Sequence, residues 1–340
     1  MEAVFEAIAE ERPGEKLRRI FDSRWPGYRK WFLRDGLRAR PTRLASTRAL
    51  RRHMPELVPV YEAVVECAGG GDLEARFLAM WCPPVYVGGC SQLLLTNGEP
   101  ILIRNYDFSP ELLDGVWSWS RYLGRRVVAI TDCLWGVLDG INEDGFAVSL
   151  AFGGRRVTGK GFGIPIVLRY VLEMAASTAD AVAILSRVPV HMAYSIAMID
   201  NAGRYATAFV APDRAIEVLD ARVSTNHQHK IEWLRHAEVT RSRERAAALW
   251  QIAGASVGKS ITAFMAPPVY QTNFVRGYGT LYTAVYRPAD CSAELIWPEQ
   301  RWRQSCTRFQ EGVRIVHYEQ STSETIDFPV GQNIIRGGMV

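Results

Sequence analysis

The chain has 340 residues, 48% of them hydrophobic and 22% charged. It can bury a substantial core, which excludes a disordered tail and a disulfide-stapled miniprotein. Forty Lys and Arg against 36 Asp and Glu give a net charge of +4, and the charges are scattered rather than gathered into a basic stripe, so nucleic acid has no electrostatic footprint. No stretch approaches the ~20 uninterrupted apolar residues of a membrane helix. The N-terminus carries acids where a secretory signal has a basic start, so the cytoplasm is the expected compartment. Cys67, Cys82, Cys90, Cys133, Cys291 and Cys306 form no C-x-x-C pair and have no histidine at zinc-finger spacing. Neither a disulfide framework nor a metal site is expected.

In chain order, residues 1–80 read as mostly helical. Apolar residues at mixed three and four spacing predict helices over 3–11, 15–22, 48–53 and 56–67, separated by Pro13, Pro26, Pro41 and Pro55. The texture changes at Gly69-Gly70-Gly71. From Val85 onward, β-branched and aromatic runs predict strands over 92–95, 100–103, 126–131 and 146–152, the first two joined by a turn at Asn97-Gly98. Residues 164–188 read as two helices divided at Ser177-Thr178-Ala179-Asp180, a capping sequence. Strands are expected again over 195–200, 205–210 and 215–219, then a helix over 242–253 and a hairpin of 279–286 with 293–297. This order fits an α+β layered domain rather than regular βαβ alternation.

The segment Val87-Gly88-Gly89-Cys90-Ser91-Gln92 puts a cysteine at the head of a strand. The two glycines allow unusual backbone angles that would let the sulfur attack its own amide to Gly89. If that bond breaks, Cys90 becomes an N-terminus. Its α-amine, of pKa about 7.7–8.0, then sits beside a thiol of about 8.5 and acts as its base, the pairing that histidine supplies elsewhere. The Asn97-Gly98 turn brings Arg104 and Asp107 back towards Cys90, where a guanidinium favours thiolate and a carboxylate accepts from an ammonium group. Taken alone, a cysteine among six is more often inert core, and an R-x-x-D pair more often a surface ion pair.

The ordered set Gly89-Cys90, Arg104-Asn105-Tyr106-Asp107, Gly140-Ile141-Asn142-Glu143-Asp144-Gly145-Phe146-Ala147-Val148, Thr225-Asn226-His227 and Gly279-Thr280-Leu281-Tyr282 resembles N-terminal-nucleophile (Ntn) hydrolases. The similarity runs from about Gly88 to Trp297 and points to the branch typified by the isopenicillin N acyltransferase precursor, peptidase family C45. Choloylglycine hydrolase and acid ceramidase are more distant relatives. The resemblance implies a four-layer αββα sandwich and self-cleavage between Gly89 and Cys90. A helical pro-segment, residues 1–89, would be retained as an α chain on a β chain of residues 90–340. No cofactor is implied, and the partners implied are a small-molecule amide or an acyl donor and acceptor. Cys90 would be nucleophile and base, Arg104 and Asp107 would organise its sulfur and amine, and Asn226 would help form the oxyanion hole. A second arginine is implied in a Ser-Arg-like helix start. Arg241, Arg243 and Arg245 are available, and the register favours Arg243, with Arg245 next. The second Asn that choloylglycine hydrolases carry has no counterpart in Ser149–Gly154, where a backbone N–H is one substitute. Asn142 reads as a turn former, and His227 and His229 as structural.

Trp117, Trp119 and Trp135 are candidates both for an apolar acyl pocket and for core. Gly254–Ser260 resembles a phosphate-binding P-loop but is one residue short and follows a helix-like stretch, not a strand. Gly159–Gly163 reads as a flexible connection. A papain-like protease needs its cysteine at a helix start with a paired histidine, and a scaffold would need none of Cys90, Arg104, Asp107 and Asn226. The expected function is therefore self-processing cysteine hydrolysis of a small linear amide through a Cys90 thioester. Acyl transfer to an amine is the alternative, and a catalytically silent binding protein the third reading.

Overall fold

The computed structural model describes residues 1–274 and 278–319; the end of the expected 90–340 chain, residues 320–340, lies outside the described residues. The first element corrects the sequence reading. Of residues 3–11, expected as helix, Ala3 to Ala9 belong instead to strand β1 (Glu2–Ala9), in which Ala3, Phe5 and Ala7 are buried while Glu2 and Val4 are exposed. That two-residue period lays one strand face on a core. β1 runs parallel to β4 (Val116–Ser120) and antiparallel to β16 (Gly312–His317). Pairing with distant strands overrides the local helix preference of its Ala and Glu residues.

Four helices follow: α1 (Glu15–Phe32), α2 (Arg43–His53), α3 (Val58–Cys67) and α4 (Asp72–Leu78). α1 continues through Pro26, well past the expected end, and buries Leu17, Ile20, Phe21 and Phe32. The four helices pack on one another and share the main core.

Among the described residues, one sheet has the order β10 (Arg214–Leu219), β9 (Tyr205–Ala211), β8 (Tyr194–Ile199), β7 (Ala147–Phe152), β6 (Gly136–Asn142), β5 (Val127–Asp132), β4, β1, β16. The other has the order β11 (Val223–Ser224), β2 (Gly89–Leu95), β3 (Ile101–Phe108), β13 (Tyr278–Arg287), β14 (Ser292–Ile296), β15 (Arg301–Ser305), with β12 (Thr272–Asn273) also beside β13. The sheets meet where β2 and β3 pack on β7 and β8. Helices α5 (Ile164–Met174) and α6 (Thr178–Arg187) cover the first sheet. Helices α8 (Ser242–Ile252) and α9 (Val257–Phe264) cover the second, with α7 (Leu234–Val239) packed on α8. The layers are therefore α, β, β, α, as expected.

β2 and β3 are buried on both faces, and the halves next to their turn, Leu93–Leu95 and Ile101–Ile103, read as continuous apolar runs. Leu94, Leu102 and Tyr106 enter the core between the sheets, whereas Leu93, Leu95, Ile101 and Ile103 enter a second core beneath α8 and α9. The turn joining the two strands places Gly98 at φ +104°, a conformation glycine adopts without a Cβ clash. Among the described residues no helix is long and apolar enough to cross a membrane.

Candidate active site

The β2–β3 register opposes Gly89 to Asp107, Cys90 to Tyr106, Ser91 to Asn105 and Gln92 to Arg104. Opposed residues share a face and successive residues alternate. Cys90, Gln92, Arg104 and Tyr106 therefore face the other sheet, while Gly89, Ser91, Asn105 and Asp107 face the helices. The Cys90 side chain lies on the inter-sheet face, and its peptide N–H points along the sheet towards Asn226, which follows the neighbouring strand β11.

On the inter-sheet face, the Arg104 Nη2 donates to Cys90 Sγ at 3.1 Å, and the Arg104 guanidinium lies 4.9 Å from the Tyr106 ring centre. Its other end pairs with Asp139 of β6, whose carboxylate also accepts from Tyr282 at 2.7 Å and from Tyr286. Arg104 and Asp139 are both fully buried. Burial works against the charge on Arg104, but Asp139 and the neighbouring phenols more than restore it, holding its pKa above the ordinary guanidinium value. The Cys90 thiol is pushed up by burial, with Arg104 pulling against that rise.

On the helix face, Asp107 accepts from Thr280 Oγ1 at 2.7 Å and pairs with Arg245 Nη1 at 3.3 Å. Burial raises the Asp107 pKa, while Arg245 and the Thr280 hydroxyl hold it down. Thr280 opposes Asp107 and Tyr282 opposes Tyr106, with a register shift between them. This bulge at Leu281 sends Thr280 and Tyr282 to opposite faces, so β13 supplies one hydroxyl to each. The Leu281 carbonyl accepts from Trp297 Nε1 and Tyr318 Oη.

Asn226 follows edge strand β11. Its Oδ1 accepts from the Cys90 N–H at 2.9 Å and from Arg245 at 2.6 Å, while its Nδ2 donates to the carbonyls of Phe152 and Gly88 at 3.1 and 3.3 Å. Its amide nitrogen donates to Ser242 Oγ, which also contacts Thr225 and His227. Ser242 and Arg245 stand three residues apart on one face of α8. Arg245 is buried there, and also reaches Ser91 Oγ at 2.9 Å. Arg243, the first choice from sequence, is instead exposed, because one residue from Ser242 turns the side chain about 100° away. Arg241 is the residue before the helix, at φ +49°.

Other sequence readings are corrected or placed by the structure. Neither Gly88 nor Gly89 takes a positive φ. Gly89 is required for space, since a β-carbon there would lie 1.9 Å from the Tyr278 hydroxyl. Trp117, Trp119 and Trp135 line no cleft near Cys90: Trp117 packs on Trp302, Trp119 donates to the Cys306 carbonyl, and Trp135 donates to the Leu78 carbonyl. A cleft of about 630 Å³, whose lining does not include Cys90, is walled by Tyr28, Trp31, Tyr86, Tyr106 and Phe108. Tyr106 is the residue opposite Cys90. Asn142 holds its turn by accepting from the amides of Asp144 and Phe146, and His229 is exposed beside Glu217. Gly254, Ala255 and Ser256 lie between α8 and α9, and Val257 to Ser260 form the first turn of α9, with no strand before them. Sequence reasoning missed Asp139, the roles of Tyr282 at Asp139 and of Thr280 at Asp107, and the cleft.

The family model described as acyl-coenzyme A:6-aminopenicillanic acid acyl-transferase matches residues 94–302, a span holding Arg104, Asp107, Asn226 and Arg245 and beginning just after Cys90. No curated protein sequence matches the chain. Similar solved structures include a variant of conjugated bile acid hydrolase from Clostridium perfringens, at 11% identity and TM-score 0.46, covering 70% of this chain and 100% of that one. Penicillin V acylase from Agrobacterium tumefaciens is 14% identical at TM-score 0.44, covering 66% and 90%. A Caenorhabditis elegans ortholog of N-acylethanolamine-hydrolyzing acid amidase is 16% identical at TM-score 0.45, covering 67% and 100%. At these identities the likeness bears on no individual residue.

Proposed function

This chain belongs to the acyl-coenzyme A:6-aminopenicillanic acid acyl-transferase family, and we propose that it is a self-processing cysteine Ntn hydrolase of small linear amides with Cys90 as nucleophile. The observation that carries this reading is the pair of contacts at Cys90, Arg104 on its sulfur and Asn226 on its nitrogen. An inert core thiol needs neither. In processing, Sγ adds to the Gly89 carbonyl carbon, the Gly89–Cys90 C–N bond breaks, and the thiol proton ends on the released nitrogen. Water then hydrolyses the thioester, giving the Gly89 carboxyl group and a free Cys90 thiol.

In the processed protein, the Cys90 α-amine takes the thiol proton and the thiolate, favoured by Arg104, adds to the substrate carbonyl. The Asn226 Nδ2, bonded to the Gly88 carbonyl before cleavage, is the donor for the developing oxyanion. Collapse expels the amine product, which takes the proton held on the α-ammonium, and leaves an acyl thioester on Cys90. A water deprotonated by the α-amine then releases the acid. Asp107 and Arg245 hold the amine side in place. Residues 1–89 would stay bound after cleavage, because β1 sits between β4 and β16 inside the first sheet and α1 walls the cleft.

The family's description as an acyl-transferase favours a second reading, in which an amine attacks the thioester in place of water. Feeding an acyl thioester and an amine acceptor, and comparing the rate with amide hydrolysis, separates the two. The decisive test is the intact mass under denaturing conditions of the wild type beside Cys90→Ala. Two chains, ending at Gly89 and beginning at Cys90, are expected in the wild type and a single chain in the variant. A full-length mass in both removes the proposal.

A further inference from the structure

His236 takes no part in the chemistry described above, yet it is buried against the residues that hold Cys90. It lies on α7, and the His236 carbonyl accepts from the amide and hydroxyl of Thr240 at the helix end. The Thr240 carbonyl in turn accepts from Arg245 Nε at 2.7 Å, which ties α7 to the site. The imidazole stacks on Trp233 with ring centres 5.1 Å apart, and meets the Phe152 ring edge-to-face at 5.0 Å. It also hydrogen-bonds the Gly88 backbone, a contact that favours the protonated ring, so the imidazole is the donor and the Gly88 carbonyl the acceptor. The same Gly88 carbonyl accepts from Asn226 Nδ2 at 3.3 Å, and that Nδ2 also donates to the Phe152 carbonyl at 3.1 Å. One carbonyl oxygen, two residues before Cys90, is thus held by two side-chain donors. Burial and the Arg245 charge lower the His236 pKa to about 3, with the Gly88 contact opposing them. The imidazole is therefore neutral at physiological pH and has one N–H to give.

Resting on the reading of Cys90 as a self-processing nucleophile, we propose that His236 is a second oxyanion donor, acting together with Asn226. Cutting the Gly89–Cys90 bond releases the Gly88–Gly89 end of the preceding chain, and Asn226 and His236 then lose the acceptor they share. The place of the Gly88 oxygen passes to the carbonyl oxygen of the acyl group that Cys90 attacks. Two N–H groups converging on one oxygen stabilise the negative charge that develops there during addition. A neutral imidazole polarises a carbonyl in this way, and it does so without burying another cation beside Arg245. Trp233 and Phe152 hold the ring, so the donor is oriented before any substrate arrives. Gly88 is half-buried, so its position is reached from outside although the histidine behind it is not.

The test compares two reactions of one thiol. In acylation by 4-nitrophenyl acetate, Sγ adds to the ester carbonyl, the α-amine takes the thiol proton, and 4-nitrophenolate leaves through a tetrahedral oxyanion. Alkylation by iodoacetamide displaces iodide and forms no oxyanion. Both are read as mass gained by the tryptic peptide Cys90–Arg104 of the processed protein, in which Cys90 is the sole cysteine. His236→Phe keeps a ring against Trp233 and Phe152 without the N–H, and His236→Leu replaces it where the phenylalanine does not fold. Acylation is expected to slow about tenfold or more, with alkylation within about twofold of wild type. Equal acylation rates overturn the proposal. A parallel fall in both reactions does so too, because it marks a general disturbance at Cys90. A folded variant that stays uncut places His236 in processing instead and also overturns the role assigned here. Intact mass is read first: a full-length wild type removes the reading of Cys90 itself, whereas a processed chain with unchanged acylation removes His236 alone.

Discussion

The two faces of the β2–β3 hairpin each bring one buried arginine–aspartate pair to Cys90, and in both the arginine makes the contact, Arg104 with the sulfur and Arg245 with the carbonyl oxygen. Between the sheets, the arginine touches sulfur and Asp139 stands behind it. Beneath the helices, Asp107 lies opposite Gly89, one residue from the Cys90 nitrogen, and Arg245 stands beside it. A thiolate is stabilised by a cation and an ammonium by an anion. The strand's two-residue alternation sets Arg104 on the face of the sulfur and Asp107 on the opposite face. Neither pair leaves net charge buried, and the bulge at Leu281 extends the division by giving Tyr282 to one face and Thr280 to the other. In the proposed processed form, the sheet would keep the supports of the Cys90 thiol and amine on opposite faces.

The largest effect that would test this division is on stability. An unpaired guanidinium cannot shed its charge, whereas an unpaired carboxylate can take up a proton. Asp139→Asn strands the buried Arg104 and should lower unfolding stability by about 3–5 kcal/mol, read from denaturant midpoints. A midpoint within error of wild type would mean that Asp139 does not compensate Arg104. Next comes Asn226→Ala, which removes the proposed oxyanion donor and should lower kcat about 100- to 1,000-fold, about 2.7–4 kcal/mol, with little change in KM. A normal kcat would take Asn226 out of the chemistry.

What sequence could show follows the range of the interactions. The hairpin was legible because Asn97-Gly98 is local turn chemistry, and the alternation along it places Cys90 with Arg104 and apart from Asp107 once the register is known. The two helices around Ser177 were legible from their cap, where Ser177 Oγ accepts from the Asp180 amide. Strand β1 was not. Its alternation is present in Glu2–Ala9, but the stretch is short and rich in helix formers, and the strands that fix it lie more than 100 residues away in sequence. Asp139 reads as one more acid before a glycine until β6 is laid across from β3. Arg243 was preferred over Arg245 on register alone, whereas the rotation from Ser242 along α8 selects Arg245. The cleft is assembled from α1, the segment around Tyr86, β3 and the end of β5, so no single stretch announces it, and the tryptophans proposed for it fill core instead.

The smallest expected effect probes the helix face alone. Thr280 Oγ1 donates to Asp107 Oδ1 and accepts from the Gln271 amide. Burial already raises the Asp107 pKa, and the Thr280 hydroxyl opposes that rise by bonding the charged form. Thr280→Val removes the donor and leaves the Gln271 amide unpaired, so it should lower stability by about 1–3 kcal/mol. In the same variant the Asp107 pKa moves further up. If the processed enzyme needs Asp107 ionised beside its ammonium, activity falls as pH drops through that pKa, and the acid limb of the pH–rate profile moves to higher pH in Thr280→Val while the alkaline limb stays in place. Thr280→Ser keeps the hydroxyl and should restore both stability and limb. An acid limb that does not move while stability drops would reduce Thr280 to packing, and the functional role of the helix face would then rest on Arg245 and Asn226.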